Sequence, residues 1–304
     1  MVDYKFLVAD ENYEEETQFS FFNSDQFVKG RSNSINYFRF YLLKSGMPTA
    51  KFVIYLDDKT AFSPWKAPYG SFELASEMSE DVISYFLEEI TNWCVRKKIN
   101  SLKVIAPPEF YQNQPSNIFI KNGYRIIYTD LHQYFRVAQK FSHNFAYSEK
   151  KRLNKCQNNG FTSSIVGKNL LPKAHELLTN SRKRKGYPVT MTFESLVEMF
   201  QKYPENYLLF AVFDKNIMIS MAVSIRVNKD ILYNFYHADH DDYATFSPTV
   251  MVVNEVNKYA LKNGFQYIDL GISSNKGILN KGLYTFKKNL GSKECSRHTY
   301  LLEL

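Results

Sequence analysis

The sequence predicts an α/β protein with mixed sheets, arranged as two consecutive domains that share one plan. Each domain is expected to begin with a three-stranded meander and to continue with helix, strand, helix and strand. The first observation behind this prediction is that the same order of elements appears in residues 1–140 and again in residues 141–304. The second is a strand–helix–strand unit in each half, which joins parallel neighbours in a sheet. The third is length, because 304 residues suffice for two cores.

The second half carries the clearest pattern. Ser247 and Pro248 are typical of a helix N-cap and first helical position, and Asn263-Gly264 is typical of a helix that ends in left-handed geometry. Apolar residues between them recur at helical spacing. The elements predicted for this half are strands 207–213, 217–227 and 230–238, helix 247–263, strand 265–270, helix 278–289 and strand 293–302.

The first half repeats that order at low sequence identity. Its long helix has an apolar stripe, acidic residues at its start and basic residues at its end, as the helix dipole favours. A basic helix at 148–158 links the halves, and a second helix is expected near 171–183. The elements predicted for the first half are strands 37–43, 50–56 and 60–63, helix 79–98, strand 101–106, a short helix near 116–122 and strand 124–136.

Composition limits the classes of function. The net charge is +7, and it divides into −1 for residues 1–140 and +8 for residues 141–304, which favours anionic partners for the second half. The three cysteines are far apart and form no CxxC pair, so we expect neither disulfides nor a zinc site. The N-terminal stretch does not have the pattern of a signal peptide, and no apolar run reaches the roughly 18 residues of a membrane span. We therefore expect a cytoplasmic protein without a membrane span.

Four short motifs stand at corresponding places in this plan. Ser-Pro-Trp-Lys-Ala-Pro-Tyr-Gly at 63–70 follows the first meander, and Ser-x-x-Arg-x-Gly-Tyr at 181–187 precedes the second. Tyr-Ile-Asp-Leu-Gly stands at 267–271, and Gly-Leu-Tyr-Thr-Phe-Lys at 282–287. In order and spacing these motifs resemble those of the FemAB-type group of the GNAT acyltransferase superfamily. Known members of that group add amino acids to peptidoglycan precursors from aminoacyl-tRNA, and the resemblance extends over nearly the whole chain.

The resemblance implies two tandem GNAT-like domains and an acyltransferase or aminoacyltransferase. An acyl or aminoacyl group would move from an activated donor to an amine by direct attack, without a covalent enzyme intermediate. No cofactor would be permanently bound. Acyl-CoA and aminoacyl-tRNA are the candidate donors, the acceptor would be a small-molecule or nucleotide-linked amine, and tRNA is a candidate partner. The alternative is a non-catalytic nucleotide- or RNA-binding module with a degenerate GNAT fold.

Two departures from the wider superfamily bear on the donor. The chain has no sustained heptad run and therefore no long helical arm of the kind found in some tRNA-using members. Acyl-CoA enzymes usually place a glycine-rich loop before the crossover helix, so that backbone N–H groups bind the pyrophosphate. The corresponding loop here, residues 243–248, contains no glycine, and its proline lacks an N–H donor. The usual mode of CoA binding is therefore not expected.

Three residues are candidates for catalysis. Lys287 matches the position to which the family assigns stabilisation of the tetrahedral oxygen, and the alternative is an exposed helix lysine. Asp269 ends the central strand of the crossover, where it would orient the amine or cap the following turn. His237 is the candidate proton acceptor, and Asp239, two residues later, is the alternative to it.

The candidate substrate-binding residues fall into four groups. The resemblance places Ser181, Arg184 and Lys185 near the acceptor, where their side chains would hold an anionic part of it; a solvated basic run is the alternative. The remaining candidates are Lys66 and Tyr69 in the Pro-bounded turn, Arg152 in the basic helix, which is expected to bind an anion as Arg184 and Lys185 are, and Tyr236 and Asp239 beside the candidate histidine. Residues 237–242 contain two histidines and three aspartates, but we interpret them as a polar turn and expect no metal site.

Overall fold

The computed structural model describes residues 4–31, 35–111, 115 and 117–304. The chain divides into two compact units, each built from more than one stretch of the sequence. The first unit consists of Met1–His132, Ser274–Ile278 and Cys295–Leu304, and the second consists of Gln133–Ser273 and Leu279–Glu294. The division at residues 140/141 expected from the sequence stays a prediction about domain boundaries.

The first unit contains all the elements that precede the long strand β7, and β7 itself passes from one unit to the other. These elements are β1 (Tyr4–Ala9), α1 (Asp25–Arg31), β2 (Asn36–Lys44), β3 (Met47–Asp57), β4 (Thr60–Ser63), β5 (Phe72–Leu74), α2 (Glu80–Arg96), β6 (Ser101–Ile105), α3 (Ile118–Lys121) and β7 (Arg125–Arg136). The start predicted for α3, Ser116, lies outside the described residues.

The second unit contains most of the later elements. The later elements are α4 (Tyr147–Asn158), β8 (Thr162–Val166), α5 (Leu171–Arg184), α6 (Phe193–Lys202), β9 (Tyr207–Asp214), β10 (Ile217–Arg226), β11 (Ile231–Asp239), α7 (Thr249–Lys262), β12 (Tyr267–Ile272), β13 (Ser274–Asn275), β14 (Ile278–Leu279), α8 (Lys281–Asn289) and β15 (Lys293–Glu303). Residues 274–278, in the short pair β13 and β14, and residues 295–304, which include most of the last strand β15, belong to the first unit.

In the first unit β1 to β4 pair antiparallel in sequence order, and β4 pairs parallel with β6. The last strand, β15, then pairs antiparallel with β6. Helix α2 covers this sheet because its apolar stripe, which includes Phe86 and Ile90, packs in one buried cluster with Phe40 and Phe52. The stripe is the one that the sequence predicts.

In the second unit β8 to β11 pair antiparallel in sequence order, and β11 pairs parallel with β12. Helix α7 is the crossover between these two strands. Its buried residues Val252 and Val256 pack in one cluster with Leu232 of β11 and Ile268 of β12. The α/β class, the mixed strand directions and the element order predicted for each half are therefore confirmed.

The structure departs from the predicted elements in three ways. Strands β1, β5, β8, β13 and β14 and helices α1 and α6 were not predicted. The helix predicted over 278–289 is shorter, because Ile278–Leu279 form β14 and α8 begins at Lys281. In addition, the predicted N-cap is wrong: α7 begins at Thr249, Pro248 takes the cap position, and Ser247 has a left-handed backbone with φ of 53°. A 3-10 turn over Asp241–Phe246 leads directly into Ser247, so this residue ends that turn and does not cap the helix.

Among the described residues, no helix has both the length and the apolar character needed to cross a membrane.

Candidate functional site

The candidate site lies in the second unit, where β11 and β12 separate. The two strands pair over three positions, from Ile231 opposite Tyr267 to Tyr233 opposite Asp269. At that point Asp269 Oδ1 accepts a hydrogen bond of 2.6 Å from the backbone N–H of Gly271, which has a left-handed φ of 71°. Through this hydrogen bond Asp269, which is fully buried, caps the turn after which β12 no longer pairs with β11. Its other predicted role, orienting an amine, stays a prediction.

Lys287 of α8 reaches the part of β12 beyond this turn. Its Nζ donates hydrogen bonds of 2.9 Å to the carbonyl of Gly271 and 2.8 Å to that of Ile272. The side chain is only 3% exposed, so the alternative of a solvated helix lysine is wrong. An ammonium carries three N–H groups, and these two carbonyls use two of them.

The environment of Lys287 makes its charge adjustable. Burial lowers the pKa of its amine to about 7, although the Asp269 carboxylate opposes this shift. Both the ammonium and the neutral amine are therefore populated near neutral pH. Such a group is suited to a charge that forms and disappears during a reaction.

The residue before it, Phe286, faces the other strand of the separated pair. Its ring centre lies 6.2 Å from that of His237 on β11. Although the imidazole keeps some exposure, burial and the nearby cations Lys287, Lys185 and Arg182 lower the pKa of His237 to about 3, against an opposing effect of Asp239. His237 is therefore neutral at physiological pH.

Two residues that were not predicted fix the position of α8. Asn280 caps the helix by accepting from the N–H of Leu283 at 3.1 Å, and its amide donates to the hydroxyl of Tyr187 at 2.7 Å. Gln133 is fully buried; it donates to Ser292 Oγ at 2.9 Å and accepts from Ser273 Oγ, at the end of β12, at 2.6 Å. An asparagine just before a helix is a known cap signal, so Asn280 was predictable. Gln133 lies 140 residues from Ser273 and gave no such signal.

Three of the predicted substrate-binding residues converge on one carboxylate at the end of β11. Asp239 accepts from Ser181 Oγ at 3.2 Å, from Arg184 at 3.0 Å and from Lys185 Nζ at 2.5 Å. The structure thus brings together four of the predicted substrate-binding residues. Their binding of a substrate stays a prediction.

Tyr236 and Arg182 form the neighbouring layer. Tyr236 is buried, and its hydroxyl bonds with that of Thr190. The guanidinium of Arg182 lies 5.5 Å from the ring centre of Tyr236 and 5.8 Å from that of Tyr187. These cation–π contacts anchor the segment after α5. The motif at 181–187 indicated the segment, but no sequence pattern indicated these contacts.

The remaining candidates have other surroundings. Arg152 pairs with Glu149 of its own helix at 2.6 Å. In the first unit, Lys66 is exposed and its ammonium lies 5.3 Å from the ring centre of Trp65, while Tyr69 is buried with its ring 5.0 Å from that of Tyr111. Roles for Arg152, Lys66 and Tyr69 in substrate binding stay predictions.

Residues 237–242 are held by contacts typical of a polar turn. His240 Nδ1 accepts from the N–H of Asp242 at 3.3 Å, and Asp241 pairs with Arg184 at 2.9 Å. Within the described ranges, no group of three or more histidine, cysteine, aspartate or glutamate side chains is arranged to hold a metal ion.

The start of α7 bears on the donor. The N–H groups of Val250 and Met251 donate to the carbonyls of Ser247 and Pro248, both at 3.0 Å. Lys155 of α4 donates to the carbonyl of Thr245 at 3.3 Å, and its ammonium lies 4.1 Å from the ring centre of Phe246. Two N–H groups in the first turn of α7 are thus engaged within the helix start itself.

Comparison with known proteins gives the fold. The sequence matches no protein-family model and no curated protein. The crystal structure of FemX is similar with a TM-score of 0.75 and 13% identity, over 93% of this chain and 92% of that one. L-PGS from Bacillus licheniformis is similar at 0.56 and 8% identity, over 84% and 81% of the two chains.

A third similar structure is a tandem GNAT protein from the clavulanic acid biosynthesis pathway. Its TM-score is 0.54 at 9% identity, and the match covers 99% of this chain and 98% of that one. At these identities the likeness is one of fold. The resemblance found in the sequence motifs is thereby confirmed at the level of architecture: the chain has the FemX-like, tandem GNAT fold.

Proposed function

We propose that the protein transfers an acyl or aminoacyl group from an activated donor to an amine, and that the separated pair β11/β12 is the reaction site. The observation that carries this proposal is the buried ammonium of Lys287, held by two carbonyls of the departing strand. The likeness in fold to FemX and to a tandem GNAT protein supports it.

The geometry divides the chemistry among three residues. Attack of an amine on an ester or thioester carbonyl creates a negatively charged tetrahedral oxygen. The third N–H of Lys287 would stabilise that charge, in a buried site where such a donor is typically worth a factor of about 10²–10³ in rate. Asp269 would keep Lys287 in place through the Gly271 turn.

The amine would have to arrive unprotonated. The cations Lys287, Lys185 and Arg182 lie near His237 and would repel a charged ammonium. The neutral imidazole of His237 would accept a hydrogen bond from the incoming amine. Its low pKa makes it a weak base, so the final proton acceptor would be water or the leaving group.

The proposal leaves two candidate donors, acyl-CoA and aminoacyl-tRNA. The engaged N–H groups at the start of α7 weigh against a CoA pyrophosphate in its usual position. The net charge of +8 on residues 141–304 favours a polyanionic donor such as an aminoacyl-tRNA. The acceptor would be a small-molecule or nucleotide-linked amine.

The test is a donor panel of acyl-CoAs and of charged and uncharged tRNAs, first for thermal stabilisation and then for transfer to amines, including nucleotide-linked peptidoglycan precursors. A true donor raises the melting temperature and yields an acceptor heavier by one acyl or aminoacyl group. A tRNA donor would also bind with strong salt dependence. Binding without any transfer would contradict the proposal and favour the non-catalytic binding module.

A further inference from the structure

The end of β12 beyond the Gly271 turn is tied to the strand on its other side. In the sheet β12 has β11 as one neighbour and β7 as the other, and its pairing with β11 stops at Asp269. Gln133 belongs to β7, and its side chain is fully buried. Its Oε1 accepts a hydrogen bond of 2.6 Å from the Oγ of Ser273, the residue that follows β12. This bond holds the separated end of β12 on the side away from β11.

The same amide also holds helix α8 through two contacts. Its Nε2 donates to the Oγ of Ser292 at 2.9 Å and to the carbonyl of Tyr284 at 3.4 Å. Because a carbonyl only accepts, the contact with Tyr284 fixes which end of the amide faces α8. Tyr284 precedes Lys287 by three residues and is therefore its neighbour on the helix surface. One side chain thus joins the helix that carries Lys287 to the strand end that binds it.

Two contacts of Gln133 lie next to hydrogen bonds of Lys287. Ser273 follows Ile272, whose carbonyl accepts from Lys287 Nζ at 2.8 Å. Ser292 donates its backbone N–H to the carbonyl of Lys287 at 3.3 Å. A shift of either the strand end or α8 would therefore change the hydrogen bonds of Lys287 directly.

We propose that Gln133 is a positioning residue for the transfer, because it keeps the end of β12 away from β11 and holds the amine of Lys287 against the carbonyls of Gly271 and Ile272. The inference rests on the proposed function and adds one residue to the same reaction site. Gln133 acts only through Lys287 in this role. Without the amide, two buried contacts between β7, β12 and α8 are lost, and water reaches Lys287.

The first measurement needs no substrate. Lysine labelled with ¹³C at Cε reports the pKa of Lys287 by NMR titration of the full chain, and the signal is identified by its absence in Lys287→Met. Burial lowers the pKa of Lys287 to about 7. Entry of water in Gln133→Met should therefore raise this pKa by about 1 or more. The titratable groups that interact with Lys287, namely Asp269 and His237, are retained in this variant.

Asn257→Leu is the matched control, because it removes another buried amide of the same unit. Asn257 accepts from the N–H of Ala138 at 3.3 Å and donates to its carbonyl at 2.9 Å. Its loss should lower stability and change the pKa of Lys287 by less than about 0.3. If Gln133→Met does not fold, Ser273→Ala removes one bond of the network and should raise the pKa of Lys287 by about 0.5.

The second measurement is the single-turnover transfer rate with a donor identified by the panel. Gln133→Met should lose about tenfold or more, with donor affinity within about threefold of the wild type, whereas Asn257→Leu should keep the wild-type rate. In a Lys287→Met background, Gln133→Met should cause no further loss, because both substitutions act through one group.

Three results would overturn the proposal. They are an unchanged pKa of Lys287 in Gln133→Met, equal shifts in Gln133→Met and Asn257→Leu, and a full additional rate loss in the Lys287→Met background. A wild-type rate in Lys287→Met would instead overturn the proposed function. The pKa of Lys287 would then still show whether Gln133 positions it, so the two failures are distinguishable.

Discussion

The two units build the same parallel pair of strands and use the space beyond it differently. In the first unit β4 and β6 pair from Thr60 opposite Ser101 to Ser63 opposite Val104. The chain then turns back, and the N–H of Gly70 donates to the carbonyl of Ile105 at 2.8 Å. The returning backbone thus occupies the position next to β6 where pairing with β4 stops.

In the second unit the corresponding backbone groups bind a side chain. Beyond the last pair of β11 and β12, the carbonyls of Gly271 and Ile272 accept from Lys287. In the first unit the cation Arg297 binds the returning segment and not the strand end. It donates to the carbonyl of Pro68 at 3.0 Å and pairs with Asp130 at 3.1 Å, and these contacts fix that segment. The same topology therefore has two outcomes. In the first unit the returning backbone fills the space beyond the parallel strands, and we call this the self-filled end. In the second unit a buried, titratable lysine lies there.

The self-filled end should be the most sensitive to added volume. A Cβ at Gly70 would overlap Ser63 Oγ and would lie 2.8 Å from the nitrogen of Pro64. Gly70→Ala should therefore lower the free energy of unfolding by about 3 kcal/mol, measured by urea denaturation. Gly282→Ala is the control, because the nearest atom to its Cβ is 3.7 Å away and alanine favours a helix. Equal stability of the two variants would show that the turn at Gly70 is loose.

The buried cation of the second unit should make stability depend on pH. The pKa of Lys287 is about 7 in the folded protein and near 10.5 in the unfolded chain, so between these values the unfolded chain binds more protons. The free energy of unfolding should therefore rise with pH in this window. Relative to Lys287→Met, the wild type should gain about 2 kcal/mol between pH 7 and pH 9.

The control for this pH dependence is Lys288→Met, which removes an exposed lysine of the same helix. Its difference from the wild type should stay constant over the same pH range. A constant difference for Lys287→Met as well would mean that Lys287 is solvated in the folded protein.

The turn that separates β12 from β11 should show a smaller effect. Gly271 has a left-handed φ of 71°, and a Cβ there would lie 3.4 Å from the ring of Tyr233. Gly264 has a similar φ of 77°, and among the described residues no atom lies within 4 Å of its Cβ position. Gly271→Ala should therefore cost about 1 kcal/mol more than Gly264→Ala in urea denaturation. Equal losses would exclude a steric role for Tyr233.

The sequence predicted the order of elements because each depends on local patterns. Helix α2 has a complete apolar stripe, and Gly264 has the left-handed conformation expected after α7. Two of the elements that were not predicted lack a clear sequence pattern, because β8 is mostly polar and α1 has only seven residues. Helix α6 was predictable, because Thr192 caps it and Leu196, Met199 and Phe200 lie at helical spacing.

The candidate site was predictable in its residues but not in its contacts. The motifs that led to Lys287, Asp269 and Asp239 are local. The hydrogen bonds of Lys287 join positions 15 and 16 residues apart, and those of Asp239 join positions more than 50 residues apart. No periodicity encodes such pairs, since they depend on how strands and helices pack.

The central claim is that Lys287 stabilises charge during transfer. Its most direct test is the single-turnover transfer rate of Lys287→Met, with Lys288→Met as control, using a donor identified by the panel. We expect a loss of at least about 100-fold in Lys287→Met with donor affinity within about threefold of the wild type, and no comparable loss in the control. A wild-type rate in Lys287→Met, or a rate loss fully explained by weaker donor binding, would contradict the account.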